Sequence, residues 1–234
     1  MTGWRARLGV IVPSSNTAVE REFPPFAPEG VSVHASRMPL ESVTSDALDS
    51  MSDRAVDCGE LLAHADVDAV AYACTTGSLL HGPGFDRELE EDLSAAVGGP
   101  AVATALSVDR ALDALGAERI AVRTPYNKEL NRREREYLEV AGYEVASIRG
   151  RGIEDNTAIG ALTPENAYRQ VSETVDPGKV DAVFVSCTNY RTLPVIEPLE
   201  RDLGVPVVTS NGATLWNICR TVGVTVEAPG ELFD

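Results

Sequence analysis

Three apolar segments from the first half of this chain return in the second half, in the same order and at nearly the same spacing. Arg7-Leu8-Gly9-Val10-Ile11-Val12-Pro13 is matched by Arg119-Ile120-Ala121-Val122-Arg123-Thr124-Pro125. Asp68-Ala69-Val70-Ala71-Tyr72-Ala73-Cys74-Thr75 is matched by Asp181-Ala182-Val183-Phe184-Val185-Ser186-Cys187-Thr188, and Pro100-Ala101-Val102-Ala103-Thr104 by Pro206-Val207-Val208-Thr209-Ser210. Any one match is weak, because buried strands resemble one another. Three in order point to two similar halves. The runs are near-continuously apolar and alternate with stretches of helical period, which is the pattern of a parallel sheet covered on both faces. The expected fold is therefore α/β, with two similar Rossmann-like halves related by a pseudo-twofold axis and a cleft between them.

The strands are expected at Arg7–Pro13, Val31–Arg37, Val67–Cys74, Pro100–Ala105, Arg119–Thr124, Tyr143–Ile148, Val180–Cys187 and Val205–Ser210. A helix from Ser45 to Ala65 places Ala47, Leu48, Met51, Ala55, Cys58, Leu61 and Leu62 on one stripe. Val108–Leu115 ends at Gly116, a good helix stop. Thr163-Pro164-Glu165 opens another helix, with a capping residue followed by proline in the first turn. The halves join near Gly116. Residues 1–115 with 212–234 are expected to form the first half, the last helix (Ala213–Val222) folding back onto it, and residues 116–211 the second.

The chain has 234 residues, 44% of them hydrophobic and 24% charged. That is enough to bury a core, and no apolar run approaches the ~20 residues of a membrane span. The start of the sequence lacks a signal-peptide pattern, so a cytoplasmic protein is expected. There are 36 acidic and 20 basic residues, for a net charge of -16. Such a surface repels phosphate backbones and argues against nucleic-acid binding. Among the basic residues lysine stands only at Lys128 and Lys179. Acid excess with arginine in place of lysine fits a high-salt cytoplasm, where screening makes crowded carboxylates tolerable. On that reading the melting temperature rises with added KCl; a salt series with a flat melting curve would count against it.

Cysteines stand at 58, 74, 187 and 219, with no C-x-x-C spacing, and the histidines are His34, His64 and His81. No metal-ligand cluster is visible, nor is a phosphate-binding glycine loop, H-E-x-x-H or G-x-S-x-G. Cys58 and Cys219 have helical, apolar surroundings and read as core. Cys74 and Cys187 are different. Each closes an expected strand, and each is followed by threonine and a turn. Ligands bind at the carboxyl ends of parallel strands. A helix starting there would aim free N–H groups at the thiol, favouring thiolate and attracting carboxylates. Two equivalent thiols would also face one another across the cleft, one for each face of a substrate carbon.

Five stretches carry a family resemblance: Gly9-Val10-Ile11-Val12-Pro13-Ser14-Ser15-Asn16-Thr17, Tyr72-Ala73-Cys74-Thr75-Thr76-Gly77-Ser78, Thr124-Pro125-Tyr126, Asp155-Asn156 and Ser186-Cys187-Thr188-Asn189. Val208-Thr209-Ser210-Asn211 fits as well. With these the chain resembles the aspartate/glutamate racemase superfamily, in the branch of maleate cis-trans isomerases and arylmalonate decarboxylases. The resemblance implies an enzyme without a cofactor or metal, acting on a small dicarboxylate, and a homodimer or higher homo-oligomer. It makes Cys74 the nucleophile and Cys187 the second thiol, a proton donor or acceptor. Asn16, Tyr126 and Asn156 would hold the substrate carboxylates, with Ser15, Thr75, Thr76, Thr188 and Asn189 supplying donors around them. Read without the family, Asn16 is equally a helix cap and Tyr126 equally a packing residue at the seam.

Two rivals remain. A two-thiol amino-acid or hydantoin racemase would use the same pair. Glutamate racemases of the superfamily carry histidine after the second Cys-Thr, where this chain has Asn189. A non-catalytic, two-lobed carboxylate binder would need the cleft but not the thiols. Arylmalonate decarboxylases keep only the second cysteine, and Cys74 speaks against that activity.

Overall fold

The computed structural model describes residues 3–40, 54–82 and 84–234. In chain order the elements are β1 (Ala6–Pro13), α1 (Val19–Phe26), β2 (Val31–Met38), α2 (Ala55–Ala63), β3 (Ala69–Tyr72), α3 (Thr75–His81), α4 (Phe85–Val97), β4 (Ala101–Ala103) and α5 (Thr104–Ala114). The second series is β5 (Arg119–Thr124), α6 (Lys128–Ala141), β6 (Glu144–Gly150), α7 (Asn156–Gly160), α8 (Pro164–Ser172), β7 (Ala182–Val185), α9 (Ile196–Leu203), β8 (Val207–Thr209) and α10 (Ser210–Thr221).

The strands form two four-stranded sheets, ordered β2-β1-β3-β4 and β6-β5-β7-β8. Every pairing is parallel. The two orders are the same position for position, and the repeated segments fall on β1 and β5, β3 and β7, β4 and β8. The α/β class, the parallel sheets and the paired halves are thus as the sequence indicates. The central strands β3 and β7 are buried along their whole length, which is why their sequences are apolar at consecutive positions instead of alternating.

Several boundaries differ from expectation. The sequence runs β3 through Cys74 and β7 through Cys187, but the strands stop at Tyr72 and Val185. Both cysteines therefore lie in the connections beyond the sheet edge. The expected strand Pro100–Ala105 stops at Ala103, and Thr104 and Ala105 already belong to α5. There the Thr104 hydroxyl donates to the Tyr72 carbonyl at 3.1 Å, so a side chain takes over from the backbone ladder. Ser210 likewise leaves β8 for α10, whose first turn is capped by Thr209 Oγ1 accepting from Gly212 N at 2.9 Å. Of the helix expected over Ser45–Ala65, Ala55–Ala63 is helical, while Ala47, Leu48 and Met51 lie outside the described residues. Leu61, expected on the buried stripe, is 61% exposed; Cys58 and Leu62 on the adjoining face carry the packing.

The expected helix ends hold where backbone chemistry dictates them. Gly116 takes a positive φ of 65° just past α5, and Ala117 N–H returns to Leu112 O at 3.0 Å. Thr163 and Pro164 open α8, with Asn166 reaching back to the Thr163 N–H at 2.9 Å. The C-terminal helix α10 lies against α5. Thr104 and Thr214 hydroxyls meet at 2.8 Å, and Asn217 Nδ2 donates to Ser107 Oγ at 3.0 Å. Among the described residues no helix is long and apolar enough to cross a membrane.

Candidate active site

Cys74 sits between β3 and α3 in extended backbone (φ −143°, ψ 114°). From there the α3 N–H groups of Thr76 and Gly77 point at its sulfur, and the hydroxyls of Thr76 and Tyr72 add to them. The Thr76 Oγ1 to Sγ distance is 3.6 Å. Gly77 is required here, because a Cβ at this position would collide with the Tyr72 hydroxyl. The sulfur is thus cradled by four donors, as the sequence led one to expect of a strand-to-helix turn.

Cys187 reaches its place by another route. No helix follows it, contrary to the sequence expectation. The chain instead turns through Thr188, Asn189 and Tyr190, and Cys187 itself adopts φ 102°. For a residue with a Cβ this conformation costs of order 1–3 kcal/mol. It is held by Cys187 N–H donating to Ser210 Oγ at 3.0 Å and by Tyr190 N–H donating to Cys187 O at 3.1 Å. The Tyr126 hydroxyl and the Asn189 N–H are the donors at its sulfur.

The two cysteines are brought together by bonds between their neighbours. Thr188 Oγ1, beside Cys187, donates to the carbonyl of Ala73, beside Cys74, at 3.0 Å. Thr75 Oγ1 donates to Ser210 Oγ at 2.9 Å, the same oxygen that holds the Cys187 amide. The thiols are close enough that a charge on Cys74 would raise the pKa of Cys187, so the pair carries one negative charge far more readily than two.

The remaining expected site residues join this cluster. Asn16 Oδ1 accepts from Ala18 N and Val19 N at 2.9 and 3.1 Å, while its Nδ2 donates to Thr188 Oγ1 at 3.3 Å. It therefore both holds the turn that leads into α1 and bridges to the second half. Asn189 accepts from Thr17 N at 2.8 Å and donates to Asn156 O at 2.7 Å. Asn156 Nδ2 donates to Ser15 Oγ at 2.8 Å. Gly160 lies against Thr17 and Asn189 so closely that a Cβ would press into both side chains. Tyr126 is buried against Cys187. All ten expected residues thus belong to one connected region. Most of their side-chain donors bond within it, which fixes the frame rigidly.

Electrostatics corrects one expectation. The donors around each sulfur do lower its pKa, but desolvation outweighs them. Burial pushes Cys74 above the ordinary thiol value, and Cys187 up to about 12. Desolvation also raises Tyr126, helped by the nearby Cys187 charge.

Other participants are hard to read from sequence. Glu22, buried on α1, accepts from Thr192 N at 2.7 Å, Leu193 N at 3.0 Å and Asn211 Nδ2 at 2.6 Å. Asn211 Nδ2 also donates to Thr188 O at 3.1 Å, so this carboxyl anchors the loop that follows Cys187. Burial raises Glu22 to about 7 against these lowering bonds and the Arg191 charge. Nothing in the local sequence marks Glu22. Ser210 and Asn211 directly follow β8, in the Val208–Asn211 stretch that also fits the family resemblance. Among the described residues no group of three or more His, Cys, Asp or Glu side chains could hold a metal ion.

Residues 8–233 match the arylmalonate decarboxylase family. The chain belongs to this family. Among its relatives, the maleate isomerase of Nocardia farcinica is 31% identical, covering 96% of this chain and 93% of the relative. Two solved structures of the family superpose closely. One is a cysteine-to-alanine variant of the Pseudomonas putida S16 maleate isomerase with maleate (TM-score 0.93, 31% identity, 97% of both chains). The other is a cysteine-to-serine variant of the Nocardia farcinica maleate cis-trans isomerase with a covalently bound succinylcysteine intermediate (TM-score 0.91, 30% identity, 97% of this chain and 98% of that one).

Proposed function

We propose that this protein is a cofactor-independent cis-trans isomerase that converts maleate, or a close unsaturated diacid, to the trans isomer through a covalent adduct on Cys74. The observation that carries the reading is the juxtaposition of two thiols at equivalent strand ends, joined by the Thr188–Ala73 and Thr75–Ser210 bonds. The likeness to maleate isomerases along nearly the whole chain supports it.

The chemistry follows from the geometry. A C=C bond cannot rotate until its π bond is broken. Cys74 thiolate adds to one alkene carbon, forming a C–S bond and moving the π pair to the neighbouring carbon. The Cys187 thiol gives its proton to that carbon and becomes thiolate. The former double bond is now single and turns freely. Cys187 then removes a proton from the same carbon, the C–S bond breaks, and the trans diacid leaves with Cys74 again thiolate. Desolvation holds the resting Cys74 thiol above its ordinary pKa, and its cradle of N–H and hydroxyl donors offsets part of that cost when the thiolate forms. On this reading Asn16, Tyr126 and Asn156 orient the carboxylates, and Ser15, Thr75, Thr76, Thr188 and Asn189 hold the donors in place.

The division into 1–115 with 212–234 and 116–211 belongs to the same proposal. It is supported by the Thr104–Thr214 and Ser107–Asn217 bonds that tie α10 to α5. The deciding experiment is to incubate the purified protein with maleate and a chelator and to follow fumarate. Fumarate is expected with nothing else added. Unchanged maleate, with deuterium exchange at the α-carbon of an added amino acid, would favour the racemase instead.

A further inference from the structure

Helix α6 buries one face, made of Leu130, Asn131, Glu134 and Leu138. A third apolar residue would suit that face; the sequence places a carboxyl there. Glu134 is 1% exposed, and neither of its oxygens has a hydrogen-bond partner. The Ser186 hydroxyl, next to Cys187, is also buried without a bonded partner. It lies near enough to favour the ionised acid slightly, though not in hydrogen-bond geometry. A small pocket in front of the carboxyl is lined by Thr75, Ala105, Val108, Tyr137, Leu138 and Phe184. Thr75 joins it to the site through Ser210. An uncompensated carboxyl in such a place is costly, and nothing in the fold needs it.

We propose that Glu134 is a positioning residue for the thiol pair: a carboxyl seated behind Cys187 and Tyr126 whose charge state governs how readily the sulfurs ionise and the dianionic substrate is accepted. This deepens the isomerase reading and rests on it for the substrate. The titratable groups facing Glu134 are Cys187 beyond β7 and Tyr126 before α6, both of which sense its charge. On its own helix stands Tyr137, whose hydroxyl donates to Asp86 of α4 at 2.9 Å. α5 offers only Ala105 and Val108 to the pocket, and α3 offers Thr75. Among the described residues no cation contributes to its charge balance. Burial holds the acid neutral up to about pH 8. Above that its negative charge opposes both a thiolate and a dianion, so activity falls on the alkaline side, where a simple thiolate enzyme would gain.

The test uses the protein labelled with carbon-13 cysteine, wild type and Glu134→Gln, each titrated by NMR without substrate. In the wild type the Cys187 Cβ resonance is expected to step with a midpoint near pH 8, and in Glu134→Gln the step is absent. In the isomerase assay the variant's kcat/KM, relative to its own neutral-pH value, should exceed the wild type's by about tenfold one unit above the midpoint. A step that persists in Glu134→Gln, or no step in the wild type, overturns the proposal. Should the amide fail to fold, Glu134→Leu fills the same apolar face and must also abolish the step. A Glu134-dependent step without fumarate formation sinks the isomerase reading and leaves this one standing; fumarate formation without the step does the reverse.

Discussion

Cys74→Ala is expected to abolish turnover of maleate, by at least ~10³-fold in kcat, while the diacid still binds. On the proposed mechanism this sulfur forms and breaks the bond to carbon, and alanine offers no nucleophile in its place. The substitution removes little else. Cys74 is buried, but the loss of one sulfur leaves a small cavity, worth about 1 kcal/mol in a packed interior. For a chain of this size that moves the melting temperature by only about 2–4 °C. The N–H groups of Thr76 and Gly77 stay where α3 places them and can still meet an anion. A control separates chemistry from packing. Cys219, fully buried in α10, loses the same volume in Cys219→Ala, and that variant should show a similar melting shift with turnover intact. Stopped assays of fumarate and calorimetry of maleate binding on the three proteins decide the matter. Residual turnover within tenfold of wild type in Cys74→Ala would remove Cys74 from the role of nucleophile.

How far this site is legible in the sequence depends on how local each signal is. The strands β1, β3, β5 and β7 are readable because burial on both faces demands consecutive apolar residues, and the duplication shows each signal twice. Cys74 and Cys187 are readable for the same reason: a polarisable side chain at the carboxyl end of a central strand, in both halves. Helix α6 is not. Its buried face carries Asn131 and Glu134 between leucines, so the apolar period that would announce a helix is broken by the residues that are chemically informative. Glu22 is invisible because its partners, Thr192, Leu193 and Asn211, are distant in sequence. The left-handed backbone of Cys187 is also hidden, because the sequence Ser-Cys-Thr-Asn contains no glycine to advertise it. That last omission matters for function. The duplication predicts equal settings for the two thiols, yet Cys74 has a helix start and Cys187 has a strained turn with a phenol. The asymmetry suits the proposed division of labour: burial raises both thiols, but four donors face the Cys74 sulfur to receive its anion and two face Cys187.

Under that division, weakening only the second sulfur should stall the reaction midway. Cys187→Ser is expected to accumulate a covalent adduct on Cys74, seen by intact mass as the addition of one maleic acid, while fumarate release falls by at least ~10²-fold. The two proton transfers at carbon are unequal. After Cys74 adds, the carbanion beside a carboxylate is a strong base, and a serine hydroxyl or a solvent molecule can still protonate it. The reverse step, drawing a proton from a neutral C–H, needs a competent base, and a hydroxyl is far weaker in that role than a thiolate. Formation of the adduct therefore survives and its collapse does not. The frame should tolerate the change, because Cys187 is held through its backbone by Ser210 and Tyr190 and only Sγ meets Tyr126 and the Asn189 N–H. Peptide mapping should place the added mass on Cys74, and Cys74→Ala/Cys187→Ser should carry none. An adduct on another cysteine, or free turnover in Cys187→Ser, would mean that the proton is carried by a different group, and Tyr126, whose hydroxyl already lies at the Cys187 sulfur, would be the next residue to replace.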